Sequence, residues 1–384
     1  MDTQRAAPVI QVVPEEVDIP VVSPVKPLSY EEADAEIRKG ADSFSFKVAN
    51  DRLGRVDVVS LGTKFPSEDC WDVAVVRGAD GQDTLYTGVY DGHNGAETSA
   101  VLGKGLIPYV ANALARLPTS NDPASADDAI KKAFINLDNR ILSMLKLRLP
   151  QVTQLAQRRA VRAQWSPELG KPMVDVLSKE QNTCNEQEIA RIAAAHPGEE
   201  KDILDMNDGH LLGMTPTRTF GNHRWKWPTE LVMKARGNCH GPAPHANSKT
   251  PPYLTASPEV TTRVVGARDF VIMGSDGLWE AIGNEDAVEC VSRWLAARRE
   301  GRPETVVESD ESRYDVNEDG SLSRTARAAD FAIEDLDNAA VCLLKNVLGG
   351  RHRYMVAGAL TATEPMSRRV RDDITIQVIF FEAP

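Results

Sequence analysis

The 384-residue chain is 42% hydrophobic and carries a formal net charge of −12, long enough to bury a substantial core in one large two-layer domain or in two or three smaller ones. So acidic a balance argues against non-specific binding to nucleic acid or an anionic membrane, which want a basic surface, and leaves room for a carboxylate cluster that holds cations. No run approaches the roughly 18 apolar residues of a membrane span, and Cys70, Cys184, Cys239, Cys290 and Cys342 are scattered without a C-x-x-C pair, as in a reduced intracellular protein.

Residues 1–28 are rich in valine and proline and carry Glu15, Glu16 and Asp18. They read as a flexible arm ahead of one domain spanning 29–384, and they resemble neither an Arg-rich mitochondrial presequence nor a secretory signal. Ser29 to Gly40 has the cap, early acids, late bases and terminal glycine of a short helix. Val56–Leu61 and Trp71–Val76 read as strands; the turn between them carries Glu68 and Asp69, whose plain reading is solvated turn acids. Leu85 to Tyr90 alternates apolar residues and stops at Asp91-Gly92-His93-Asn94-Gly95, before helical spacing from Ala96 to Val110. Asp-Gly and Asn-Gly are also ordinary turn dipeptides.

Ala126–Leu147 repeats apolar residues at helical spacing, and a hairpin is predicted from Ala160–Trp165 and Met173–Leu177. Asn185 with Glu188 predicts a capping box opening a helix through Ala195. Leu211–Trp227 mixes aromatic and basic residues and reads as packing and substrate-side loops. Phe270–Ser275 repeats the earlier design, an apolar run ending in Asp276-Gly277, before a helix from Asn284 to Ala297. A polar, acidic, mobile insertion is expected at about 300–330, a helix at Asn338–Leu348, and a last strand to Phe381 that begins with Asp372-Asp373.

Three apolar strands thus present Asp91, Asp276 and Asp372 at their ends. Crowded carboxylates repel one another and take up protons unless cations intervene, and an all-oxygen set suits hard ions such as Mg²⁺ or Mn²⁺ rather than zinc. Two such ions can activate a water and polarise a phosphoryl oxygen, with His93 as general acid to the leaving oxygen, although a lone histidine after glycine is usually structural. Other signals are weaker. Asp315-x-Asn317-x-Asp319-Gly320 opens like a calcium loop but has Ala326 where a glutamate is required, and Cys239, His240 and His245 lack a fourth zinc ligand.

Tyr90-Asp91-Gly92-His93-Asn94-Gly95, Ser275-Asp276-Gly277-Leu278-Trp279-Glu280 and Arg371-Asp372-Asp373-Ile374-Thr375 resemble three signature motifs of the metal-dependent protein serine/threonine phosphatases of the 2C type. Leu137-Asp138-Asn139, Arg218-Thr219-Phe220-Gly221, Lys226-Trp227, Pro251-Pro252-Tyr253-Leu254-Thr255 and Asn338-Ala339-Ala340 resemble the pyruvate dehydrogenase phosphatase branch in order and spacing. The resemblance implies an α+β fold, a four-layer α-β-β-α sandwich, with two Mg²⁺ or Mn²⁺ ions and phosphoserine or phosphothreonine protein substrates, the pyruvate dehydrogenase complex being the candidate. It implies that Asp91, the Gly92 carbonyl, Asp276 and Asp372 bind the metals, that Glu68 and Asp69 support them, and that His93 donates the proton. It places the protein in the mitochondrial matrix, while the lack of a visible presequence leaves the cytoplasm open.

The departures are specific. The family has two core strands where this chain runs from Pro150 to Ala160, a span too short for two strands and a turn, so their neighbours should show exposed edges or a thinned core. A skipped exon, a faulty gene model or a degenerate paralogue would each produce that join, and a non-catalytic relative that binds a phosphoprotein or partner is the alternative reading. Asn222 stands where relatives commonly have aspartate. The phosphate-binding arginine that many relatives place just before the Glu-Asp pair has no clear counterpart in the sequence.

Overall fold

The structure, a computed structural model, describes residues 26–384 apart from 48–52, 78–82, 94, 119–121, 148–153, 156–157, 206–208, 240–241, 310–314, 317–321 and 365. In chain order the elements are α1 (Tyr30–Lys39), β1 (Ala41–Lys47), β2 (Leu53–Leu61), β3 (Cys70–Arg77), β4 (Asp83–Tyr90), β5 (Gly92–His93), α2 (Glu97–Leu114), α3 (Pro123–Leu147), β6 (Gln154–Leu155), β7 (Arg158–Ser166) and β8 (Lys171–Val176). They continue with α4 (Glu186–Ala195), α5 (Glu200–Ile203), β9 (Leu204–Asp205), β10 (His210–Leu211), α6 (His223–Lys226), α7 (Thr229–Cys239), β11 (Phe270–Ser275), α8 (Asp276–Trp279), α9 (Asn284–Glu300), β12 (Asp315–Val316), β13 (Leu322–Ser323), α10 (Ala339–Leu348), α11 (Arg353–Thr361), α12 (Ser367–Val370) and β14 (Ile374–Phe380).

Six strands form one antiparallel sheet in the order β1-β2-β14-β11-β7-β8. Central β14 is buried at every position because both its faces are covered. Ile374, Ile376, Val378 and Phe380 point, at the two-residue strand period, to a core shared with Ile37 of α1, Trp294 of α9 and Leu343 of α10. Ile379 on the other face joins Val56, Val58 and Val271 against Trp71, Val73 and Leu85. Those three belong to the β3–β4 hairpin, whose register pairs Cys70 with Tyr90. Leu102 and Leu106 of α2 and Leu137 and Ile141 of α3 close the outer side around Tyr90. The result is the α+β, four-layer order helix, sheet, sheet, helix.

The second sheet layer is thin. Among the described residues β3 and β4 pair only with each other. Beside them, Thr87 of β4, Phe134 of α3, and the cross-strand neighbours Ala160 and Met273 line a cavity of about 670 Å³. Gln377, fully buried on β14, spans part of the gap by donating to the Gly88 carbonyl at 3.1 Å and pairing with the Thr87 hydroxyl.

Local signals set most helix ends. Ser29 and Glu32 form a reciprocal capping box at α1, and Asn338 caps α10 by accepting from the Val341 N–H at 2.9 Å. At α4 the expected capping box is replaced. Asn185 accepts from Gln187, but Glu188 turns away to Arg191, Arg218 and the Thr217 hydroxyl, because a long-range charge partner outcompetes one backbone N–H. Burial raises the Glu188 pKa, but the Arg191, Arg218 and Thr217 bonds outweigh it and bring it to about 2. A depressed carboxyl pKa stabilises the fold above the unfolded value of 4.5 and loses that contribution as pH falls through about 2. Glu188→Gln should therefore flatten the acid limb of the stability curve, which thermal melts between those pH values would read.

The ends of the expected insertion are packed: Ala326 is fully buried beside Ile282, and Glu304 pairs with Arg293. Residues 317–321 of the calcium-like turn, His240, and residues 1–25 of the arm lie outside the described residues.

Candidate metal centre at three strand ends

The sheet brings the three aspartates to one end. β11 and β14 are neighbours, with Gly274 opposite Ile376, so Asp276 at the end of one strand meets Asp372 and Asp373 at the start of the other. Ser275 locks the junction: its hydroxyl donates to the Asp373 carbonyl at 3.3 Å and accepts from the Thr375 N–H at 3.0 Å. Asp91 arrives from the second sheet, buried, and its Oδ2 accepts from the Asp276 N–H at 3.3 Å.

The glycines after the aspartates are required by close approach. A Cβ on Gly92 would lie 2.1 Å from the Glu68 carbonyl oxygen, and one on Gly277 would lie 2.4 Å from the Asp373 carbonyl oxygen. Neither has a positive φ, so the Asp-Gly pairs at these two sites are tight packing junctions rather than turns.

Glu68 and Asp69 are buried, at 3% and 8% exposure, and are not solvated turn acids. Asp69 is pushed up to about 7, first by burial and then by the charges of Asp373 and Asp276, against hydrogen bonds from Ser275 and Thr375; its Oδ2 is buried without a partner. Asp276 is pushed up to about 6 by burial and by the charges of Asp372 and Glu280. Adjacent Asp372 and Asp373 divide their work. Asp372 is exposed at the rim, whereas Asp373 is buried and accepts from the Thr63 hydroxyl at 2.6 Å, the Ser67 hydroxyl at 3.0 Å and the Glu68 N–H at 2.7 Å. Burial works against its charge, but those bonds prevail and hold it below the usual carboxylate range. Asp373 thus shapes the 63–69 turn that carries Glu68.

Among the described residues, no three histidine, cysteine, aspartate or glutamate side chains converge closely enough to enclose an ion as they stand. The donor chemistry nevertheless fits hard divalent ions. The site has oxygen donors only, two carboxyls displaced toward their protonated forms, and one orphaned buried carboxylate oxygen, all of which a cation would satisfy. His93 is exposed beside Gly92, on a short strand that pairs with Gln154–Leu155. Asn222, in the left-handed region at φ 53°, is buried with its Nδ2 unpartnered.

The sequence reading missed two cations. Lys64 Nζ lies 2.7 Å from Glu68 Oε1, and Arg368 Nη2 pairs with Glu68 Oε2. Lys64, four residues before Glu68, was open to a sequence reading; Arg368, from the far end of the chain, gave no local signal.

The protein phosphatase 2C family model matches residues 170–311. A protein phosphatase 2C homolog of Schizosaccharomyces pombe is 30% identical over 87% of this chain and 82% of its own length. The mitochondrial pyruvate dehydrogenase phosphatase 1 of Saccharomyces cerevisiae is 30% identical over 85% of this chain and 68% of its own. The human mitochondrial pyruvate dehydrogenase phosphatase 2 is 31% identical over 54% of this chain and 41% of its own. Among solved structures, a C. elegans sex determining protein aligns with 86% of this chain and 65% of its own at 15% identity and a TM-score of 0.47. The class that the family model and the S. pombe relative define is that of the protein serine/threonine phosphatases. Within it, the chain belongs to the protein phosphatase 2C family.

Proposed function

We propose that the protein hydrolyses phosphoserine and phosphothreonine monoesters in proteins with two Mg²⁺ or Mn²⁺ ions at the strand-end cluster. The observation that carries this reading is the Asp91–Asp276 junction, with Asp276 and Asp69 both displaced toward protonation by burial and by the charges of neighbouring carboxylates. Asp91, the Gly92 carbonyl, Asp276 and Asp372 are the proposed ligands, with Glu68 and Asp69 in support. Bound ions would supply an activated water and polarise the phosphoryl oxygen. His93, exposed at the mouth, then gives its proton to the departing serine or threonine oxygen.

Two of the relatives are named as pyruvate dehydrogenase phosphatases of mitochondria, which supports that complex as substrate and the mitochondrion as compartment. No helix of the described residues is long and apolar enough to cross a membrane.

The test is hydrolysis of a phosphoserine peptide by purified protein with and without Mn²⁺; absence of a metal-dependent rate ends the catalytic reading. His93→Ala should slow that reaction by about a hundredfold or more, yet barely affect p-nitrophenyl phosphate, whose leaving group needs no proton. Equal losses on both substrates would remove His93 from the acid role. The thin second sheet and its cavity favour a second reading, a phosphoprotein-binding relative without turnover. Such a protein would retain its partner in calorimetry while showing no tight Mn²⁺ site.

A further inference from the structure

Arg368 is placed more deliberately than an ion pair with a surface carboxylate requires. It sits on the four-residue α12, which is pinned over the 62–69 turn: the Ser367 hydroxyl donates to the Thr63 carbonyl at 2.8 Å, and Arg371 Nη2 donates to the Gly62 carbonyl at 2.9 Å. From there Arg368 reaches Glu68 Oε2, while its side chain stays 39% exposed and Glu68 is 3% exposed. The charges of Asp372 and Asp373 also act on it. The guanidinium therefore stands at the rim of the carboxylate cluster, with Nη2 on Glu68 and a side chain that is partly exposed.

Glu68 does not need both of its cations. Lys64 already contacts Oε1 at 2.7 Å, so the charge of Glu68 stays balanced if Arg368 turns outward. The mouth otherwise carries Asp91, Asp276 and Asp372, which would repel a phosphate monoester dianion approaching bound ions. A planar guanidinium, with five donors in a fixed fork, can hold two phosphoryl oxygens at once, which an ammonium cannot.

Resting on the reading above, we propose that Arg368 is the residue that grips the phosphoryl group of the substrate, exchanging Glu68 for phosphate, while Lys64 keeps Glu68 neutralised. The arginine sought next to the Glu-Asp pair is thus supplied from the other end of the chain.

The test uses the full chain at saturating Mn²⁺, with inorganic phosphate titrated calorimetrically, phosphoserine-peptide kinetics alongside, and thermal melts to verify folding. Arg368→Ala should weaken phosphate binding and raise KM by about tenfold or more, with a smaller change in kcat and unchanged Mn²⁺ affinity. Arg368→Lys, which keeps the charge and serves if the alanine variant unfolds, should recover only part of the affinity. Unchanged phosphate affinity and KM would overturn the proposal, as would a loss explained wholly by weaker Mn²⁺ binding, because either result confines Arg368 to balancing Glu68. If the unaltered protein binds Mn²⁺ and hydrolyses the peptide, such a result strikes this inference alone. If it does neither, the functional reading fails and this inference with it.

Discussion

Asp276→Asn is expected to lower kcat/KM for a phosphoserine peptide by on the order of a thousandfold, about 4 kcal/mol of transition-state stabilisation, while leaving the fold intact. The substitution keeps shape and removes charge at the point where β11, β14 and the Asp91 corner meet. Its effect on the metal-free protein should have the opposite sign. Burial and the charges of Asp372 and Glu280 push Asp276 up to about 6, so the folded state disfavours its ionised form. The stability tied to that carboxyl is fully present below the unfolded pKa of 3.8 and is lost as pH rises through about 6. At pH 8 without metal, Asp276→Asn should therefore melt higher than the unaltered protein. With Mn²⁺ the order should reverse, because two ions, each at a hundred times its Kd and each stabilising the unaltered fold by about 2.7 kcal/mol, together outweigh the roughly 3 kcal/mol that a shift from 3.8 to about 6 represents. Melting curves at pH 8 with and without Mn²⁺, beside the kinetic assay, check all of this. Retained activity, or a variant stabilised by Mn²⁺ as strongly as the unaltered protein, would remove Asp276 from the centre.

The three acidic corners were legible because a strand that is apolar through Tyr90, or through Ser275, cannot continue its pattern across an aspartate, so the chain must leave the core there. The short run from Pro150 to Ala160 likewise foretold the thin second sheet, since strand length per residue is fixed. What stayed hidden depends on contacts between distant residues. Asp372 and Asp373 are adjacent and identical in type, and only the docking of the 63–69 turn makes one a rim group and the other its scaffold. Glu188 looked like a cap because its partner Arg218 lies 30 residues away, and Arg368 is 300 residues from Glu68. The Asp-Gly pairs looked like turns, because nothing local reveals that a Glu68 or Asp373 carbonyl will press on the glycine.

Two segments far apart in the sequence, one containing Asp138 and the other Lys226, meet in the structure, and breaking their contact should give the largest stability loss. Lys226 Nζ lies 2.6 Å from Asp138 Oδ2 and 2.7 Å from the Thr219 carbonyl oxygen, while Asp138 Oδ1 accepts from the Gly221 N–H at 2.7 Å. Both side chains are buried, and burial drives the carboxyl pKa up and the ammonium pKa down, each opposed by its partner. A pair in that position is poorly compensated if either half is lost, because the survivor remains dehydrated and charged. Asp138→Ala should therefore destabilise the fold by about 3–5 kcal/mol and lower the melting temperature by roughly 5–10 °C. Asp138→Leu combined with Lys226→Met replaces both charges by apolar volume and should recover most of the loss. A double-mutant cycle from urea denaturation decides the matter. If the double variant loses the sum of the two single losses, the loss comes from packing of α3 against the 217–227 segment; a double variant at least as stable as either single assigns it to the ion pair, and with it the positioning of Gly221 and of the left-handed Asn222 that follows.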